Sequence, residues 1–148
     1  MSSLRTVGTT GFPKGLMNAV VRQHWIEAIL SGRFKQGGGG WLRTRMPNGD
    51  ICYCVTGVLC QLYLEDTEYD DGEELAWEER PLQSTEDEGT KFALNNLVGM
   101  VPSPVLEWAG ITSHLIHEDG HDVLESLISR NDEGMTFKDL AEIIKEKM

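Results

Sequence analysis

The sequence contains no run of the ~18 apolar residues that a membrane span requires. Its opening, MSSLRTVGTTGFPKG, lacks the apolar stretch of a secretory signal. Cysteine is scarce, with only Cys52, Cys54 and Cys60. An odd number without a signal points to free thiols in a reducing compartment, so the expected location is the cytoplasm. Cys52-x-Cys54 with Cys60 does not reproduce the Cys-x2-Cys spacing of zinc sites, and buried, inert thiols are the expectation. His114-x-x-His117-x-x-x-His121 has helical ligand spacing. Gly120 interrupts it, however, and Glu118, Asp119 and Asp122 mark a solvated loop, so no metal is expected there. There is no Gly-x-Ser-x-Gly, no Cys/His nucleophile pair and no internal repeat. Among 24 carboxylates no acid/base pair singles itself out. No catalytic residue, metal or cofactor is assigned on this basis.

Basic residues are concentrated at one end. Residues 1–45 carry Arg5, Lys14, Arg22, Arg33, Lys35, Arg43 and Arg45 against the single acid Glu27, a net +6. The remaining 103 residues carry a net −17, within a total of −11. A chain this acidic disfavours double-stranded nucleic acid and anionic membranes as partners, while a local basic region can still receive a small anion.

The 148 residues suit one domain. Residues 1–13, broken by Gly8, Gly11 and Pro13, read as an arm. A helix is predicted from Leu16 to Leu30, with Val21, Trp25, Ala28 and Ile29 on its inner face and Gly32 as its stop. A hairpin follows. Trp41 to Met46 and Ile51 to Val55 flank Asn48-Gly49, a two-residue turn signal. That turn would set Arg45 opposite Cys52 and Arg43 opposite Cys54, leaving Leu42, Thr44, Met46, Ile51, Tyr53 and Val55 to face the core. Thr56 is the expected cap of a helix from Gly57 to about Leu64. Residues 65–88 hold twelve carboxylates and one base, Arg80, and read as an exposed acidic loop pinned by Trp77 and Leu82. Phe92 to Leu97 reads as helical. Further segments are predicted at Val105–Trp108, after Pro102 and Pro104, and at His121–Ser129. The last helix is the clearest: Thr136 is its cap, with Asp139 three residues on, and Phe137, Leu140, Ile143 and Ile144 form its inner stripe. The expected class is α+β, a single small domain with several helices packed on a short antiparallel hairpin.

One stretch concentrates binding chemistry: Arg33-Phe-Lys35-Gln-Gly37-Gly-Gly-Gly40-Trp-Leu-Arg43-Thr-Arg45. Glycines let backbone N–H groups approach a phosphate, and arginines supply bidentate bonds to its oxygens. The stretch is not a P-loop, because no Gly-Lys-Ser/Thr follows, and not the dinucleotide fingerprint, because a strand follows the glycines instead of a helix. A flexible connector accounts for the glycines equally well. The candidate ligand residues are Arg33, Lys35, Gly38, Gly39, Arg43 and Arg45.

Four blocks carry a further signal: Trp25-x-x-Ala28-x-x-Ser31-Gly32-Arg-Phe34-x-Gln36; Tyr53-Cys54-Val-Thr-Gly57-Val58-Leu59-Cys60; Val101-Pro102-x-x-Val105-x-x-Trp108-x-Gly110; and Asn131-Asp132-x-Gly134-x-Thr-Phe137-x-x-Leu-Ala141-x-x-Ile144. Over residues 22–145 the chain resembles a widespread family of small, mostly uncharacterised phage, prophage and bacterial proteins. The resemblance implies a phage accessory protein acting in the host cytoplasm, and supplies no catalytic residues. Three functions are carried forward. The first is a non-enzymatic anti-defence protein that sequesters a small anionic ligand, a cyclic or ADP-ribose-type signalling nucleotide. The second is an interaction protein whose acidic segment mimics nucleic acid and occupies a host defence protein. The third is a nucleotide-directed hydrolase. A homo-oligomer is compatible with all three.

Overall fold

The structure, a computed structural model, describes residues 17–37, 41–66, 75–80, 90–95, 97–111 and 120–148, with side chains from 124 onward in the last segment. The predicted arm, Gly38, Gly39, Leu82 and the side chains of the histidine motif lie outside the described residues. Within them the chain forms five helices and a five-stranded mixed sheet, an α+β domain.

Helix α1 spans Ala19–Leu30, and Asn18 starts it by accepting from the Val20 and Val21 N–H groups at 2.8 and 3.1 Å. This relieves two of the donors that every helix start leaves unpaired. Val21, Trp25 and Ile29 are buried as the three-and-four spacing predicts, joined by Ile26, while Ala28 is half-buried. The Trp25 indole N–H donates to the Val55 carbonyl at 2.9 Å. Helix α2 (Val55–Glu65) begins two residues earlier than expected, and its cap is Cys54 in place of Thr56. The Cys54 sulfur accepts from the Gly57 N–H at 3.3 Å, while Thr56 turns its hydroxyl to that sulfur at 3.2 Å. Gly57 is there because the strand passes too close for a side chain: a Cβ would stand 1.8 Å from the Leu42 carbonyl oxygen. Helix α3 covers Ser103–Ala109, α4 Gly120–Asp132 and α5 Phe137–Lys147. The Thr136 hydroxyl caps α5 by accepting from the Asp139 N–H at 3.3 Å. Packing of α1 on α2 and α5, and of α4 on the same two helices, encloses the main core, centred on Trp25, Leu59, Leu127, Leu140 and Ile144.

The strands are β1 (Lys35–Gln36), β2 (Arg43–Arg45), β3 (Ile51–Tyr53), β4 (Trp77–Arg80) and β5 (Thr90–Leu94), in spatial order β1-β3-β2-β5-β4. Only β1 and β3 run parallel. The hairpin exists, but its register differs by one residue from the expectation: Arg43 pairs with Tyr53, Thr44 with Cys52 and Arg45 with Ile51. The turn explains the slip. A two-residue Asn-Gly turn needs positive φ at both positions, and only Gly49 has it, at +97°. The loop is instead Pro47-Asn48-Gly49, closed by the Met46 N–H to the Asp50 carbonyl at 2.7 Å. Pro47 has the fixed φ suited to the first corner of a type I turn, and Asn48 spends its side chain on the Asp50 N–H at 2.9 Å. A one-residue slip exchanges the faces of the partner strand. Cys52 therefore shares a face with buried Thr44, and the arginines share theirs with Ile51 and Tyr53, the reverse of the predicted grouping.

Two further expectations change. Phe92 begins no helix, because it lies within β5, which pairs on both sides and is buried from Lys91 to Leu94. A strand covered on both faces shows no alternation, so its apolar run resembles a helix fragment. Residues 65–88 also contain β4, whose acidic Trp77-Glu-Glu-Arg80 pairs antiparallel with β5 along its whole length. Trp77 anchors it through an indole N–H to the Gln61 side-chain oxygen at 2.8 Å.

Candidate anion-binding face

The register places Arg43 and Arg45 on one face of the sheet with Tyr53 on β3, Phe92 on β5 and Glu79 on β4. Their long side chains lie over the neighbouring rings. The Arg43 guanidinium is 4.2 Å from the Phe92 centroid, 5.4 Å from Trp77 and 5.6 Å from Tyr53. Arg45 lies 5.5 Å from the same Phe92 ring. Each ring face attracts a cation by ~0.5–1 kcal/mol at exposed sites and more where water is excluded.

The two arginines differ in their partners. Arg45 forms an ion pair with Glu79 at 2.5 Å, spanning from β2 over β5 to β4. Arg43 has no carboxylate partner among the described residues, and its Nε is buried without a hydrogen-bond acceptor. A buried donor left unmade costs ~1–3 kcal/mol. Ring contacts offset part of that cost, but an acceptor is still wanting.

The other candidates are dispersed. Arg33 lies 4.5 Å over its neighbour Phe34 and pairs with Glu65. Partial burial alone would push the Glu65 carboxyl up; hydrogen bonds from Arg33 and Gln61 outweigh this and hold it below the usual range. Lys35 pairs with Asp50, an exposed contact that raises the lysine and lowers the aspartate from their ordinary values. Lys35 also stands in register with Cys52, on the face opposite the arginines. A groove of about 660 Å³ at the end of α4, lined by Ser126, Ser129, Arg130, Glu133, Gly134 and Met135, includes none of the candidates.

The cysteines are free and buried, and burial pushes all three thiols up, away from the reactive thiolate. Among the described residues no cluster of histidine, cysteine and carboxylates is arranged to hold a metal ion, and no helix is long and apolar enough to cross a membrane.

Sequence reasoning missed a buried polar hub. Asn131, 3% exposed, donates to the Gly37 carbonyl at 2.6 Å and accepts from Gln36 at 3.0 Å and the Val55 N–H at 3.2 Å. Gln36 also donates to the Met135 carbonyl at 2.6 Å and accepts from the Phe137 N–H at 3.0 Å. Two side chains thereby join the end of β1 to the starts of α2 and α5 and to the end of α4. The available signal was the presence of both residues in the blocks that carry the resemblance, 95 positions apart.

These features define a small α+β domain whose helices are tied together by a buried amide pair and whose sheet carries a cationic, ring-lined face. The chain belongs to the family described as a domain of unknown function (DUF8296), which it matches over residues 17–148. No curated protein and no solved structure matches it.

Proposed function

We propose that this chain binds a small organic anion at the Arg43–Arg45 face. The observation that carries the reading is Arg43: a guanidinium held among three aromatic rings, without a carboxylate among the described residues and with its Nε unsatisfied. Arginine suits phosphate because its planar fork makes paired, charge-assisted bonds. Rings beside it suit a ligand with its own flat surface, and a nucleotide combines both features. Sequestration requires tight binding alone, which cations and rings can supply. With the resemblance to phage proteins, this supports an anti-defence role in which a signalling nucleotide is withdrawn from solution.

Calorimetry against cyclic di- and trinucleotides and cyclic ADP-ribose isomers tests the reading. Binding is expected for at least one of them, and Arg43→Ala combined with Arg45→Ala should weaken it at least tenfold, given ~1.5–3 kcal/mol per hydrogen bond to a charged group. Lys35→Ala, on the opposite face, should leave affinity unchanged. No heat with any of the panel, or equal affinity in the double variant, overturns it.

A further inference from the structure

The same face contains two cations and one carboxylate, and their layout points to the form of the ligand. Glu79 pairs in register with Phe92, and Arg43 is the residue that continues that rung onto β2. Arg45 is two rungs away, opposite Thr90, yet it is Arg45 that reaches diagonally past the Phe92 ring to take Glu79. The Arg45 and Glu79 side chains keep 35% and 58% of their surface exposed. An ion pair so open to water is weak and readily exchanged. Arg43, by contrast, lies against three rings and has no carboxylate to give up among the described residues, its Nε being unsatisfied.

Resting on the anion-binding reading, we propose that Glu79 occupies the place of a ligand phosphate, so that the site takes a ligand bearing two phosphate groups. One phosphate meets Arg43 directly. The other displaces Glu79 from Arg45. The two guanidiniums flank one phenyl ring at 4.2 and 5.5 Å from its centre, so a single ligand lying across Phe92 can engage both. A ligand with one phosphate is satisfied at Arg43 and leaves the Arg45–Glu79 pair closed. Glu79 thereby sets a threshold that favours the doubly charged ligand.

Titration calorimetry with inorganic phosphate and with pyrophosphate, on the wild type, Glu79→Gln and Glu78→Gln, provides the test. Glu78 neighbours Glu79 on the same strand but belongs to the other face, paired with Arg80. Its substitution removes an equal charge and controls for general electrostatics. Glu79→Gln should tighten pyrophosphate binding at least fivefold, inorganic phosphate less than twofold, and Glu78→Gln should change neither by more than twofold. Pyrophosphate binding to the wild type with no gain in Glu79→Gln, or an equal gain in Glu78→Gln, overturns the role of Glu79 and leaves the anion site standing. No binding of either probe to any of the three proteins overturns both.

Discussion

The amide hub and the arginine face treat polar groups in opposite ways. At the hub, both polar atoms of the Gln36 amide and both of the Asn131 amide are engaged, between side chains or with backbone. At the face, Arg45 alone pairs with the carboxylate of Glu79, and the Arg43 Nε is buried and unmet. The four blocks that carry the family resemblance follow the same division. Trp25, Gln36, Cys54, Gly57 and Asn131 belong to them, and each holds one element against another. Arg43, Arg45, Trp77, Glu79 and Phe92 lie outside them. Contacts that close the fold thus fall on residues of the blocks, whereas the two arginines and Glu79 of the sheet face do not belong to them.

Substitutions should separate the two regions, and the largest effect belongs to the helical core. Trp25 is fully buried and its indole N–H is bonded to Val55. Trp25→Ala should cost ~3–5 kcal/mol and largely abolish soluble protein, as measured by thermal melting and recovery after expression. Asn131→Ala should come next. It strands the Gly37 carbonyl and the Val55 N–H and removes one of the Gln36 amide's three bonds, and the expected loss is about 2–3 kcal/mol in urea unfolding. A variant within 0.5 kcal/mol of wild type (~0.5 being the spread of ordinary surface changes) would remove the hub from its structural role.

Arg43→Met should do the reverse. It forfeits the ring attraction but relieves the unmet Nε, so stability should stay within about 1 kcal/mol of the wild type while nucleotide binding is lost. A large destabilisation would make Arg43 part of the architecture and collapse the contrast. Smallest of all is the exposed Arg33–Glu65 pair. Arg33→Ala should cost less than ~1 kcal/mol at neutral pH. Because the folded Glu65 carboxyl lies below its ordinary value, its contribution is present above the glutamate range, about 4.3, and vanishes as the pH falls through the folded value. Chemical denaturation of both proteins from pH 7 to pH 3 should show the two curves converging, and added salt should narrow the gap at pH 7.

Much of the helical half was legible in advance because its signals are local. Thr136 caps α5 as read, and the inner faces of α1 and α5 follow from spacing within a few turns. The existence of the hairpin, the sharing of one strand face by Arg43 and Arg45 and the burial of the cysteines were also readable. The strand in the acidic segment was not, since Trp77-Glu-Glu-Arg80 has no period-two pattern and exists only because β5 offers it a partner. Gln36 and Asn131 appear in the blocks as isolated polar letters, and their hydrogen bonds connect residues that the sequence holds far apart.

By itself, then, the sequence determined the α+β class, the Thr136 cap of α5, the uneven charge and the placing of both arginines on one strand face. Tertiary structure decided the rest. The register depends on whether Asn48 joins Gly49 at positive φ or leaves it to Gly49 alone, and one residue of difference moved Cys52 to the opposite face from the arginines. Which arginine keeps a carboxylate depends on β4 reaching β5, a pairing between segments whose contact no local preference encodes. Periodicity and capping act within a turn or two of chain, whereas pairing and ion partnership are settled by whichever distant segments come to share one surface.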